Sequence, residues 1–211
     1  VGHSDFTALQ MGLLAKTGSH TWAGPHACAD FGALSVDAIT QDCFDDLAQG
    51  RGEGAGWRLP ASDLAHLPKR SMLAGEAVLW GGNLSVLCSL IGTPYLPPVE
   101  QGVLFLEDVA EHPYRIERML TQLLHAGVLA KQQAIVLGQF TDYKLTADDK
   151  GYKLDAVVAW LRSQVKVPVL TGLPFGHVPT KLCLPVGQKL SLLREGREAF
   201  LLWAHQGHHS H

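Results

Sequence analysis

Short apolar runs alternate with helical patterns over most of this chain, and that alternation restricts its fold more than any other feature. Ala77 to Trp80, Val103 to Glu107, Ala134 to Gly138 and Val167 to Leu170 are each of strand length. Between them lie three helical patterns. Leu84 to Ile91 is an apolar helix with Asn83 as its N-cap. Pro113 opens a stripe of Ile116, Met119, Leu120, Leu123 and Leu124 at i, i+3, i+4, i+7, i+8 spacing, which ends at Gly127. Lys153 to Val165 is amphipathic. Such an alternation predicts an α/β fold. The end of the chain changes character, because Lys189 to Leu193 and Ala199 to Trp203 flank Arg194-Glu195-Gly196-Arg197 and read as a β-hairpin.

The first 50 residues read as the closing part of another α/β unit. Phe6, Leu9, Leu13 and Leu14 recur at helical spacing from Asp5 to Lys16, with Gly18 as the stop signal. His20 to Ala23 is strand-like, and Ser35 to Gln49 is a second helical pattern with Val36, Ile39, Cys43 and Leu47 on one face. Residues 50–70 have no sustained period and are rich in Gly, Pro and charge, so a linker is expected over 51–72. The expected domains are therefore 1–50 and 73–211.

Composition narrows the class of partner. At 46% hydrophobic and 18% charged, with a formal net charge of −3, the 211 residues are ordinary globular material. Lys and Arg are scattered, which gives no footprint for nucleic acid or a membrane surface, and no apolar run approaches the roughly 20 residues of a membrane span. Cys28, Cys43, Cys88 and Cys183 are irregularly spaced with no C-x-x-C pair, so free thiols are expected and neither a disulfide framework nor a zinc knuckle. The terminal His205, His208, His209 and His211 could bind a transition metal only adventitiously and are expected to be a disordered end. No metal or cofactor is expected.

Gly2-His3-Ser4-Asp5 leads into the first helix and places a candidate nucleophile at Ser4. A serine on a sharp strand-to-helix turn presents its hydroxyl to substrate while the next backbone N–H, here that of Asp5, faces the developing oxyanion. Such an elbow needs a strand before it, so the chain is expected to be the later part of a longer enzyme. By spacing alone, a Ser-Asp before an apolar helix is more often a simple N-cap. A hydroxyl nucleophile also needs a base and an acid to orient it. Glu107 closes an apolar strand, and His177 follows Leu173-Pro174-Phe175-Gly176 in a loop after a strand, where α/β enzymes collect their catalysts. The order Ser, acid, His is that of α/β-hydrolases, but Phe6 stands where their elbow requires Gly, which argues against that fold. By sequence alone, Asp108 and Glu111 remain rival acids, and His177 could be a loop histidine without a role. Trp80 and Asn83 could line a cleft or serve as core and helix cap, and Arg115 and Arg118 could meet a substrate carboxylate or a neighbouring acid.

Longer blocks are more specific. Gly2-His3-Ser4-Asp5-Phe6-Thr7-Ala8-Leu9, Leu79-Trp80-Gly81-Gly82-Asn83-Leu84, Leu90-Ile91-Gly92-Thr93-Pro94, Leu106-Glu107-Asp108, Pro113-Tyr114-Arg115-Ile116-Glu117-Arg118-Met119-Leu120 and Phe175-Gly176-His177 are collinear over nearly the whole chain. Together they closely resemble the LD-carboxypeptidases of murein recycling, a group that includes the microcin-immunity peptidases. The resemblance implies the remainder of an N-terminal α/β domain carrying the nucleophile elbow, then a C-terminal α/β domain built around β structure. It implies Ser4 as nucleophile, Glu107 as acid and His177 as general base, with the Asp5 N–H as one oxyanion donor. A murein peptide substrate, a cytoplasmic location and a homodimer are also implied. The family's second oxyanion donor comes from an earlier part of its N-terminal domain, so these residues alone are expected to be inactive. Cleavage of a peptide-nucleotide antibiotic and non-catalytic peptide binding are the alternative functions.

Overall fold

The computed structural model describes residues 1–203; the four histidines at 205–211 lie outside the described residues. In chain order the helices are α1 (Phe6–Thr17), α2 (Ala38–Ala48), α3 (Leu84–Ser89), α4 (Pro113–His125) and α5 (Leu154–Gln164). The strands are β1 (Thr21–Ala23), β2 (Gly54–Arg58), β3 (Met72–Asn83), β4 (Val103–Val109), β5 (Ala134–Thr141), β6 (Val169–Leu170), β7 (Leu184–Val186), β8 (Lys189–Glu195) and β9 (Glu198–Leu202). Seven strands form one mixed sheet in the order β2-β9-β8-β3-β4-β5-β6, and β1 pairs with β7 in a separate two-stranded ribbon.

The mixed sheet has two halves joined by β3. Its first residues run antiparallel to β8, and Leu79 to Asn83 then run parallel to Val103 to Glu107 of β4. The parallel half holds the densest core: Val103, Leu104, Phe105, Leu106 and Glu107 are all 0% exposed. Strands buried on both faces read as continuous apolar runs, which is why β4 and β5 were visible in the sequence. On α4, Ile116, Met119, Leu120 and Leu123 are buried as its stripe predicts. β8 and β9 form the terminal hairpin.

Two expectations are corrected. The stretch read as a linker contributes β2, which pairs along its whole length with β9. Its glycines mark close backbone approach, since a Cβ on Gly54 would stand 2.8 Å from the Leu201 carbonyl oxygen. Within β2 the Trp57 indole donates to the Thr171 carbonyl at 3.0 Å, and in the segment that follows the buried Asp63 carboxylate accepts from the Thr171 N–H at 2.7 Å and from Arg162 at 2.7 Å. The second correction concerns α1, whose buried residues are Thr7, Gln10 and Met11, while Leu9 of the apolar stripe is 53% exposed. Tertiary contacts choose its inner face: Thr7 sits against Gly82, and Gln10 donates to Thr21 Oγ1 at 3.0 Å.

Candidate active site

The parallel strands end on one edge of the sheet, and the candidate acid and base meet there. Asn83 and Glu107 are register partners on β3 and β4. Asn83 Oδ1 caps α3 by accepting from the Val86 N–H at 3.0 Å, and its Nδ2 donates to Glu107 Oε1 at 3.2 Å and Asp108 Oδ1 at 3.0 Å. Glu107 Oε2 pairs with His177 Nδ1 at 2.9 Å. That bond raises the His177 pKa above its ordinary value, while desolvation pulls it the other way.

Glycines make room for this pair. A Cβ on Gly138 would stand 2.5 Å from the Phe175 carbonyl oxygen, and one on Gly176, at φ +133°, would stand 3.2 Å from Glu107 Oε2. Small residues at these points let the loop that carries His177 cross β5, where the Gln139 N–H donates to the Phe175 carbonyl at 2.8 Å. The rival acids sit at a register irregularity of β4 between Leu106 and Asp108, and although both accept from Asn83 Nδ2 their remaining partners differ. Asp108 turns toward α3 and accepts from the Ser85 N–H at 2.9 Å, and burial pushes its carboxyl pKa up. Glu111 lies 3.7 Å from Arg115, which is itself half exposed. Arg118 is exposed.

Ser4 occupies a turn between an isolated bridge, Gly2 to Ala23, and α1. Its φ of +60° is left-handed, whereas an N-cap residue sits in the extended region. A non-Gly residue held there costs on the order of 1–3 kcal/mol, and such strain concentrates at functional sites. Asp5 makes no side-chain capping bond either. Both facts favour the elbow over the plain cap. The Phe6 N–H turns back to the His3 carbonyl at 3.2 Å, and among the described residues the Asp5 N–H has no backbone acceptor.

The serine corner reaches the acid through one side chain. Thr7 Oγ1 accepts from the Asn83 N–H at 3.0 Å, and this close seat exists because residue 82 is Gly: a Cβ there would stand 2.5 Å from Thr7 Oγ1. On its other side, His3 packs against His177 with ring centroids 5.0 Å apart. Asp37, Thr40 and Asp30 then clasp the loop beyond His177. Thr40 Oγ1 donates to the Pro179 carbonyl at 2.9 Å, Thr180 Oγ1 donates to Asp37 Oδ2 at 2.8 Å, and Lys181 forms a buried ion pair with Asp30.

Glu107 and His177 are thus joined directly, and the neighbours of Ser4 reach this corner, His3 touching His177 and Thr7 accepting from the Asn83 N–H. The expectation of cleft-lining roles for Trp80 and Asn83 is not met. Trp80 is 1% exposed and its indole donates to Gln132 at 2.8 Å, while the Asn83 amide is fully engaged inside the fold. His3 and Thr7 were missed by sequence reasoning; the only local signals were a histidine beside the serine and the Gly81-Gly82 pair. A separate cavity of about 510 Å³ opens between α5 and residues 60–66 and touches none of Ser4, Glu107 or His177.

The structure thus holds a strained serine at a helix start and, separately, an imidazole oriented by a buried carboxylate, the residue types that nucleophilic acyl transfer uses. Comparison with known proteins finds carboxypeptidases and a microcin self-immunity protein. The family model for the LD-carboxypeptidase C-terminal domain matches residues 76–192. A probable murein peptide carboxypeptidase of Bacillus subtilis is 30% identical over 191 residues, covering 90% of this chain and 58% of that protein. The microcin C7 self-immunity protein of Escherichia coli is 28% identical over 215 residues, covering 91% of this chain and 62% of that protein. Among solved structures, a muramoyltetrapeptide carboxypeptidase from Oxalobacter formigenes superposes with a TM-score of 0.84 at 42% identity, over 95% of this chain and 66% of the other. The chain therefore spans about three fifths of the length of the curated relatives it matches.

Proposed function

The chain belongs to the LD-carboxypeptidase family, and from that premise we propose that the intact protein hydrolyses the amide between the L-centre of a diamino acid and a terminal D-alanine in murein tetrapeptides. The observation that carries this reading is the 2.9 Å bond between fully buried Glu107 and His177 Nδ1, together with a serine strained to φ +60° whose neighbour His3 meets the His177 ring. With Nδ1 held by Glu107, His177 Nε2 is the nitrogen available to Ser4.

In this mechanism His177 takes the Ser4 proton as Oγ attacks the carbonyl carbon. The tetrahedral oxyanion accepts from the Asp5 N–H at the start of α1, where the helix dipole also favours negative charge. Collapse breaks the C–N bond, and the departing D-alanine amine takes the proton from His177. Water, deprotonated by His177, then attacks the acyl ester and releases Ser4. Glu107 stabilises the imidazolium at each stage. Residues 1–50 supply the nucleophile and 73–211 the acid and base. The protein acts in the cytoplasm as a homodimer.

The test is release of free D-alanine from a murein tetrapeptide by the full-length protein, with a peptide-nucleotide antibiotic as the competing substrate. D-Alanine release at a kcat/KM well above that for the antibiotic supports the reading. The reverse preference supports the microcin-immunity alternative, and binding without turnover of either supports the non-catalytic one.

A further inference from the structure

Beside the candidate base lies a second imidazole that the mechanism above does not use. His3 is 5% exposed, immediately precedes Ser4, and meets the His177 ring edge to face at 5.0 Å and 76°. Its own ring is locked on three further sides. Nδ1 lies 3.0 Å from the Gly24 carbonyl oxygen, so the tautomer carries its proton there and donates. The His26 ring stacks on it at 3.8 Å and 18°, and Phe175 stands edge-on at 6.3 Å. His26 in turn is anchored by its backbone N–H donating to Asp30 Oδ2 at 2.6 Å.

His177 needs such a neighbour. It follows Gly176, a flexible point at φ +133°, and the bond at Nδ1 leaves its ring free to tip about the Nδ1–Oε2 direction. A rigid surface across the ring removes that freedom. The surface must also be uncharged, because a cation 5 Å away would oppose the imidazolium that acyl transfer requires.

We infer that His3 is a positioning residue, a neutral aromatic wall that holds the His177 ring for Ser4 and keeps water from its flank. Burial supports the neutrality, pushing the His3 pKa down to about 4. The charged and titratable groups around the pair are Glu107 and Asp108 from β4, His26 and Asp30 from the 26–31 segment, and Lys181 beyond the His177 loop. The buried Lys181–Asp30 pair leaves the two carboxylates of β4 as the charges that favour His177 protonation.

The inference rests on the function proposed above, and the test separates the two. His3→Phe keeps a neutral ring and loses the Gly24 bond; His3→Gln keeps a donor for Gly24 and loses the ring. In the full-length protein, His3→Phe should retain kcat within about threefold. His3→Gln should lower kcat roughly tenfold or more at little-changed KM, with similar thermal melting for both variants. By NMR, His177 should titrate higher in His3→Gln than in wild type or His3→Phe, because admitting water relieves the desolvation that lowers its pKa. Equal losses in both variants, a loss confined to KM, or an unchanged His177 titration in His3→Gln would overturn the wall. The titration needs no substrate, so a wild-type protein that released no D-alanine would refute the function while the wall was still decided by the NMR shift.

Discussion

The acid–base pair and the serine corner are built to different standards of support. Glu107 is 0% exposed on a central parallel strand, flanked by β3 and β5, and both of its carboxylate oxygens are bonded to side chains. Ser4 hangs between one isolated bridge and the first turn of a helix whose inner face is Thr7, Gln10 and Met11. The acid is positioned by the register of the sheet, the serine by a few side-chain contacts and a strained φ. A buried carboxyl group needs its polar atoms bonded, whereas the proposed nucleophile must leave its hydroxyl available to substrate.

The largest expected effect tests the serine side. In the full-length protein Ser4→Ala should cost on the order of 10⁴ to 10⁶ in kcat with little change in melting temperature, since the hydroxyl is not part of the core. Most of the activity surviving would remove Ser4 from the mechanism.

Glu107→Gln comes next, with a kcat loss of about 10³ to 10⁴ and, unlike Ser4→Ala, a measurable loss of stability, because Gln cannot match both the Asn83 and His177 donors. Its pH dependence is a sharper reading. Glu107 raises the folded-state His177 pKa, so the stabilisation from that bond is fully present below the unfolded value of 6.5 and is lost as pH rises through the raised folded value. The proposed mechanism needs neutral His177, so it expects the acid limb of kcat/KM in wild type to lie above pH 6.5 and to move down in Glu107→Gln. A limb that stays put would deny Glu107 its control of the base.

Gly82→Ala probes the seam between the two regions. The added Cβ would meet Thr7 Oγ1 at 2.5 Å at a φ of +133° and should push α1 away from β3. Overpacking of this kind costs about 1–3 kcal/mol. Turnover should fall about 10- to 100-fold while the His177 Nδ1 proton bonded to Glu107 keeps its NMR shift. Simultaneous loss of that signal would mean that the two regions are one unit.

The smallest effect is at the rim. Arg115 is half exposed and 3.7 Å from Glu111, so Arg115→Ala should leave the melting temperature essentially unchanged and change kcat/KM by less than about twofold. A tenfold rise in KM would instead assign it to the substrate carboxylate.

Local pattern determined a good part of this molecule. The apolar runs of β4 and β5, the buried stripe of α4 and the terminal hairpin follow from periodicity and turn residues, because each satisfies its own hydrogen bonds or buries its own face in a regular way. The longer collinear blocks carried the family, as the match over residues 76–192 bears out. What only the tertiary structure decided were matters of pairing across distance. The glycines at 54 and 56 look like a linker until β9 lies against them, and the inner face of α1 carries Thr7 and Gln10 beside Met11 because Gly82 and Thr21 are what those two polar residues meet. The choice between Glu107 and Asp108 is equally invisible locally: both are acids at one strand end, and only the register irregularity of β4 between Leu106 and Asp108 and the crossing of the His177 loop over Gly138 send one to His177 and the other to α3. A sequence states which residues are available and with what period, and contacts between residues 70 or more positions apart, such as Glu107 with His177, exist only once the chain has closed around them.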